Sequence, residues 1–287
     1  MSVVTPSFNQ GRFIGDCIAS VARQTATSVE HVVCDGGSTD ETLEVLKAAP
    51  PHVRWLSEPD RGQADAINKA FALSRGEFIG WLNSDDAYYD SRTIEGALQT
   101  FRLRPDVDVV YGHAALVGAD NDVLHFMWAP GYTRRLMDYA NYVVQPTVFL
   151  RRSALGERLV DEELDFAVDL ELWLRLRDEG RGFARLDRIA AIDRHHETRK
   201  VYTMQDVGKR EIDALYARYG GQGRLRRAIL PKTFRIVARF WGLRLLRDAR
   251  RHLAVDYRVA PTATLARRQV LTPRRKMPLL WGASERD

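Results

Sequence analysis

Cysteine is nearly absent: Cys17 and Cys34 are the only two in 287 residues. Two thiols set in apolar runs cannot build a disulfide framework, so a pair of buried thiols in a reducing compartment is expected. No window of 18 uninterrupted apolar residues exists, which excludes a simple membrane-spanning helix. Met1 through Pro6 run straight into a strand-like segment without a charged or apolar leader, so no secretory signal is expected. No G-x-G-x-x-G follows the first apolar run, and a dinucleotide-dependent dehydrogenase needs one there. Internal repeats and low-complexity segments are also missing.

Hydrophobic residues make up 45% and charged residues 28% of the chain, the balance of a soluble globular protein with one large α/β domain or two modest ones. The net charge of +5 is unevenly spread. Of 43 Lys and Arg and 38 Asp and Glu, residues 223–276 hold 16 and 2, which leaves 27 basic and 36 acidic side chains elsewhere, a net −9. An acidic body with a basic tail predicts an anionic partner for the tail.

Ser2–Thr5, His31–Cys34, Val53–Leu56, Phe78–Leu82 and Val107–Tyr111 read as strands. Ile14–Arg23, Thr39–Ala48, Gln63–Ser74 and Thr93–Phe101 have helical spacing between them. That alternation predicts a parallel sheet with helices on both faces. Residues 112–150 are strand-like and irregular, Glu163–Glu179 reads as a helix, and Phe183–Ile192 returns to strand. Gly220, Gly221 and Gly223 mark a hinge before the Arg-rich tail.

The polar motifs follow the strands, where open α/β sheets bind ligands. Asp35-Gly36-Gly37-Ser38-Thr39-Asp40 ends the second strand. Ser38 and Glu41 have capping-box spacing and read as helix initiation. Asp35 is left over, and a carboxylate at that place can accept a hydrogen bond from a nucleobase imide. In the helix after Gly62, Asp65 and Asn68 share a face. Asn83-Ser84-Asp85-Asp86 follows the most apolar strand, and buried carboxylates there must be paired or bound to metal. Mg²⁺ or Mn²⁺ suits such a site, with diphosphate oxygens and water completing the shell. Among the acids of Asp161–Glu171, one facing a cleft could serve as a general base. Arg194-His195-His196 follows the last strand, where a histidine is either a loop residue or a ligand.

Together and in this order, from Val3 to about Thr203, these clusters resemble a family 2 glycosyltransferase of the GT-A fold, in the subgroup that builds bacterial surface polysaccharides such as O-antigen. The resemblance rests on Val4-Thr5-Pro6-Ser7-Phe8-Asn9, on Asp35 and its glycines, on Asp60-Arg61-Gly62-Gln63-Ala64-Asp65-Ala66, on Asn83-Ser84-Asp85-Asp86, and on an acid shortly before Leu172-Trp173. It implies a Rossmann-like, mostly parallel sheet flanked by helices as a catalytic domain over 1–219, with a basic helical extension over 220–287. It implies inverting transfer from a nucleotide-diphosphate sugar to a hydroxyl acceptor, a glycan or lipid-linked glycan. Asp169 is then the catalytic base, with Asp165 as a rival. Pro6, Phe8, Asp35, Asp65, Asn83 and Ser84 line the nucleotide-sugar site. Asp85, Asp86 and His196 serve a Mg²⁺ or Mn²⁺ ion. Asn83 stands where the family usually has the first Asp of D-x-D, and Val168 where it often has Glu.

Residues 232–253 predict a helix with Phe234, Val237, Ala238, Trp241 and Leu245 on one side and arginines roughly opposite, an interfacial pattern suited to an anionic membrane. The segment 224–258 is thus expected to meet the inner face of the cell membrane, or else to dock on the catalytic domain, in a cytoplasmic protein. Nucleic acid is not expected as a partner. The alternatives are a nucleotide-sugar pyrophosphorylase, whose Gly-rich phosphate loop the Pro6–Arg12 segment lacks, and a non-catalytic nucleotide-sugar-binding protein.

Overall fold

A computed structural model of the chain describes residues 1–220. Gly221 and Gly223 of the expected hinge, the basic segment 223–276, and the helix and membrane readings over 232–253 and 224–258 lie outside the described residues.

Nine strands form one sheet: β1 Ser2–Ser7, β2 Glu30–Asp35, β3 Val53–Ser57, β4 Phe78–Trp81, β5 Ala87–Tyr88, β6 Val109–Gly118, β7 Val123–Met127, β8 Phe149–Arg151 and β9 Phe183–His195. Their order is β3-β2-β1-β4-β8-β6-β9-β5, with β7 paired to β6. The ladders β2–β3, β1–β2, β1–β4 and β6–β9 are parallel, while β8 runs antiparallel between β4 and β6. The sheet is mostly parallel and flanked by helices, as the alternation of periods predicts.

Strand pleating sends successive side chains to opposite faces. Val4 and Val109 pack with Ile67 and Phe71 of α3 (Gln63–Leu73) and with Leu170 and Trp173 of α6 (Val168–Asp178). Their neighbours Val3 and Val110 pack instead with Val21 of α1 (Gly11–Ala22) and with Ile94 and Phe101 of α4 (Thr93–Leu103). Both sheet faces are therefore dry, and each fully buried aliphatic side chain contributes about 1.5–3 kcal/mol. Both cysteines are buried and free.

Two expectations are corrected. The helix expected over Glu163–Glu179 is α6 and starts only at Val168. The capping box does not form. The second helix, α2, spans Thr42–Lys47 and has no side-chain cap bond; Ser38 Oγ accepts from Asn9 N–H instead of from the helix and gives its own proton to Asp35. The strand read at Val107–Tyr111 runs on as β6 to Gly118, and the irregular stretch beyond it holds β7, a short α5 at Arg134–Met137, a 3-10 turn at Gln145–Thr147, and β8. The chain then passes through α7 (Lys200–Thr203) and α8 (Gln205–Arg218). Among the described residues no helix is long and apolar enough to cross a membrane.

Burial also makes the fold acid-sensitive. His31 of β2 is 1% exposed, with Nε2 2.9 Å from Thr5 Oγ1. Burial pushes its imidazole down to about 3, and burial pushes His113 of β6 down to about 4. The unfolded chain takes up these protons near pH 6.5, whereas the folded chain refuses them. Stability is therefore complete above pH 6.5 and is lost as the pH falls toward 4. Each such group steepens the loss by about 1.36 kcal/mol per pH unit within its window. Urea titrations between pH 7 and 4 should show a shallower decline for His31→Gln than for the wild type. An identical slope would mean that His31 does not refuse the proton.

Candidate active site

Strand direction brings the motifs to one edge. β1, β2, β3 and β4 are mutually parallel. β8 reverses against β4, β6 reverses against β8, and β9 runs parallel to β6. The carboxyl ends of β1, β2, β4 and β9 therefore share one edge. Pro6 helps to open it. The β1–β4 ladder stops at Val4, so Pro6, opposite Cys34 of β2, sits where no β4 partner needs its missing N–H.

The loops after β1 and β2 are laced together. Asn9 N–H donates to Ser38 Oγ at 2.7 Å, Gln10 N–H to Thr42 Oγ1 at 3.0 Å, and Gly11 N–H to Asp40 Oδ2 at 2.9 Å. Asp35 is 2% exposed and closes its own turn. Its Oδ2 accepts from Gly37 N–H, Ser38 N–H and Ser57 Oγ, and its Oδ1 accepts from Ser38 Oγ. Gly37 adopts a φ of 83° within this turn, a conformation open to glycine at no steric cost. Phe8 stands at the rim, 58% exposed.

Asp65 is buried in the first turn of α3. It accepts from Arg61 N–H and from the Arg61 guanidinium, both at 3.0 Å, and lies 3.2 Å from Lys69. The Arg61 hydrogen bond, above all, holds its carboxyl down at about 2. Asn68 points instead at the turn before α6. It accepts from Leu159 and Val160 N–H and donates to Val160 O and Glu162.

Asn83 is a strut. Its Oδ1 accepts from Trp81 Nε1 at 3.0 Å and Gln63 Nε2 at 3.2 Å, and its Nδ2 donates to Gln145 Oε1 at 2.8 Å. An amide can do both, and a carboxylate cannot donate. Ser84 is buried behind it. Asp85 Oδ2 lies 2.9 Å from His196 Nε2, a pairing across 111 residues, and Thr198 Oγ1 lies 2.9 Å from the other ring nitrogen. Burial pushes Asp85 up, but the His196 hydrogen bond and the Arg199 charge outweigh it and hold the carboxyl below its ordinary value. Asp86 is 1% exposed and turns inward, where one oxygen accepts from Arg194 N–H at 3.0 Å. Burial, with Asp85 and Asp193 beside it, raises Asp86 well above the carboxylate range.

Asp16, Asn121, Asp193 and Arg199 of this cluster go unnoticed in the sequence, and Arg194 is named there without a role. Arg194 is fully buried. Its Nε donates to Asp85 O at 2.9 Å, its guanidinium pairs with Asp16 of α1 at 3.0 Å and also bonds Asn121, and it lies over the Phe13 ring. Asp193 is paired 2.7 Å from Arg199, off the angle of a hydrogen bond. The run of charges at Asp193–His196 was the available signal, and only its histidines stand out by residue type.

Asp169 is half-buried at the start of α6. Burial raises its carboxyl above the ordinary value, the Leu170 amide and Asn141 pull it back, and the Asp193 charge adds to the rise. The rival Asp165 is exposed. It lies in a turn whose amides at Asp165, Phe166 and Ala167 all donate to Glu211 of α8 at 2.8–3.0 Å. Among the described residues no three His, Cys, Asp or Glu side chains converge as a ready-made metal cage.

The chain matches the family described as Glycosyl transferase family 2 over residues 2–158. A chondroitin synthase of Escherichia coli is 31% identical over 185 residues, which cover 63% of this chain and 27% of that relative. A hyaluronan synthase of Pasteurella multocida is 30% identical over 194 residues, covering 66% and 20%. The chain thus spans about a quarter or less of the length of these relatives. Among solved structures, S. aureus TarS 1–349 in complex with UDP-GlcNAc superposes with a TM-score of 0.58 at 22% identity, covering 69% of this chain and 59% of that one. The mannosyltransferase PcManGT from Pyrobaculum calidifontis, in complex with GDP-Man and Mn²⁺, gives 0.56 at 17% identity, covering 78% and 64%. The fold they share with this chain is GT-A.

Proposed function

The chain belongs to glycosyl transferase family 2, and from that premise we propose that it moves a sugar from a nucleotide-diphosphate donor to a hydroxyl acceptor, with inversion. The acceptor we assign is a lipid-linked glycan of bacterial surface-polysaccharide synthesis, in keeping with the relatives' polysaccharide products.

The observation that carries this reading is the Asp85–His196 pair, 2.9 Å apart, at the edge that also holds Asp35. Two adjacent ligands of an octahedral cation bound at 2.0–2.1 Å stand about 3 Å apart, and such a cation needs only one or two protein ligands besides phosphate oxygens and water. The donor set fits. Its imidazole favours Mn²⁺ over the harder Mg²⁺. When bound, the ion supplies positive charge against the departing diphosphate.

The chain's own groups do the rest. Asp35 Oδ1, engaged by Ser38 alone, keeps a lone pair for a base N–H. The exposed ring of Phe8 and the Pro6 turn flank the base. Asp65, held ionised by Arg61, lies beside the donor sugar. Asp86 and Ser84 support the loop that presents Asp85. Asp169 takes the proton from the acceptor hydroxyl as that oxygen attacks the anomeric carbon, so one carboxylate suffices. The strut at Asn83 explains its amide without a loss of turnover, which weakens the non-catalytic alternative. Residues 1–219 then form the catalytic domain, a boundary supported by the end of α8 at Arg218 and the left-handed Gly220. The extension 220–287 brings it to an anionic inner membrane face.

A thermal-shift screen against UDP, dTDP, GDP, CDP and ADP, with and without Mn²⁺, tests the reading. One diphosphate should stabilise the wild type in a Mn²⁺-dependent way, by about 2.7 kcal/mol at 100 times its dissociation constant. Asp85→Ala should lose that dependence. An unchanged Mn²⁺ dependence in the variant would sink the metal assignment.

A further inference from the structure

We propose that Asn141 positions Asp169 and binds the acceptor: its amide nitrogen aims the base, and its carbonyl oxygen accepts a hydrogen bond from a second hydroxyl of the acceptor sugar. The inference rests on Asp169 being the base.

The argument starts from the two ends of one amide. Asn141 Nδ2 donates to Asp169 Oδ2 at 3.3 Å. The Leu170 N–H takes Oδ1 at 2.7 Å, and the residue's own amide also supports the carboxylate. Asn141 is the side chain that holds Oδ2. The amide orientation follows from charge, because its oxygen turned toward a carboxylate would set two acceptors face to face. Asn141 Oδ1 then points away from Asp169, and it is buried with no hydrogen-bond partner. A buried carbonyl without a donor is costly, and one that persists needs an explanation. An entering ligand that carries a donor supplies it.

The surroundings say which ligand. Asn141 lies between α5 and the 3-10 turn. Four residues further on, Gln145 accepts from Asn83 Nδ2 and donates to Trp81 O, each at 2.8 Å. The segment 141–145 thus runs from the base to the loop that presents Asp85. A sugar whose attacking hydroxyl reaches Asp169 Oδ2 lies against the Asn141 amide, and its neighbouring hydroxyl is the missing donor. The residues assigned above to the nucleotide, Pro6, Asp35 and Asp65, stand on other elements, β1, β2 and α3.

The charged group whose field reaches Asp169 from the packed elements is Asp193 of β9, itself paired with Arg199 at 2.7 Å, and its charge also acts on Asp86, His195 and His125. The Leu170 amide and Asn141 act from α6 and from the loop. Losing the Asn141 donor removes stabilisation of the charged carboxylate, so the acidic limb of the rate profile moves to higher pH. Asn141→Asp puts a like charge there and moves it further.

The test uses the full chain of the wild type, Asn141→Ala and Asn141→Asp with the donor found in the nucleotide screen. A panel of methyl glycosides serves as acceptor, and donor hydrolysis is measured without acceptor. Asn141→Ala should lower acceptor kcat/KM roughly 10- to 100-fold, mostly through KM, with donor KM unchanged and the acidic limb shifted up. Its melting temperature should change little, because removal of an unpaired buried carbonyl offsets the donor lost to Asp169. A merely structural asparagine would instead lower melting temperature and leave the pH limb in place. An Asn141→Ala enzyme with wild-type acceptor KM and pH limb overturns the inference alone. A wild type that neither transfers nor hydrolyses donor removes the transferase reading as well.

Discussion

Replacing Asp169 with Asn should cut sugar transfer by roughly 10²- to 10⁴-fold, the usual contribution of a positioned general base, while nucleotide binding with Mn²⁺ stays intact. The substitution is close to isosteric, and the new amide oxygen still accepts from Asn141 Nδ2. What disappears is the ability to take a proton. The raised carboxyl value of Asp169, caused first by burial, moves it toward neutrality, where a base is most effective. Nucleotide affinity should hold because Asp35, Asp85 and His196 belong to other elements. Asp165→Asn is the matched control: its side chain is exposed and its turn is fixed through backbone groups, so transfer should remain near normal. Steady-state rates of the two variants decide between them, and the opposite ranking would make Asp165 the base.

The largest effect on stability is expected at Arg194. Arg194→Met should lower unfolding free energy by about 3 kcal/mol, the loss typical when one member of a buried ion pair is removed. The side chain is 1% exposed and joins α1 through Asp16, the β4–β5 loop through Asp85 O, and the β6–β7 turn through Asn121. Methionine fills much of the volume but leaves the Asp16 carboxylate and the Asp85 carbonyl without their donor. Urea unfolding measures the loss. A double-mutant cycle with Asp16→Asn should return part of it, since the two residues share one interaction. The Mn²⁺-dependent nucleotide shift should weaken in Arg194→Met, because the loop that aims Asp85 has lost its anchor. Full stability in the single variant would show that Arg194 is not the tie between these elements.

Much of the architecture is readable in local pattern. The apolar pairs Val3-Val4, Val32-Val33 and Val109-Val110 each serve both faces of a covered sheet, and such runs separated by helical periods announce a parallel sheet. Helix starts are less readable. Ser38 and Glu41 have the spacing of a capping box, yet the Ser38 hydroxyl accepts from Asn9 N–H across the two loops and gives its proton to the buried Asp35, which needs donors, so neither side of it serves the helix end. The turn at 163–167 has helical spacing too, but Glu211 takes three of its amides from outside, so α6 begins only at Val168.

The sequence by itself determined the alternation of strands and helices from β1 to β4 and the kind of residue at the strand ends: Asp35 closing β2, Asn83 to Asp86 after β4, the histidines at the end of β9, and Asp169 ahead of Leu172 and Trp173. These are properties of short windows, where periodicity and turn chemistry act within a few residues. Tertiary structure alone decided which of them meet. His196 reaches Asp85 because β9 lies between β6 and β5, a sheet order that no local spacing encodes. The same order buries Arg194 and turns Asp86 inward. Asn141 is an ordinary loop residue until α6 packs against its segment. A carboxylate's role here follows from the charges and donors around it in space, and those come from residues as many as 111 positions away.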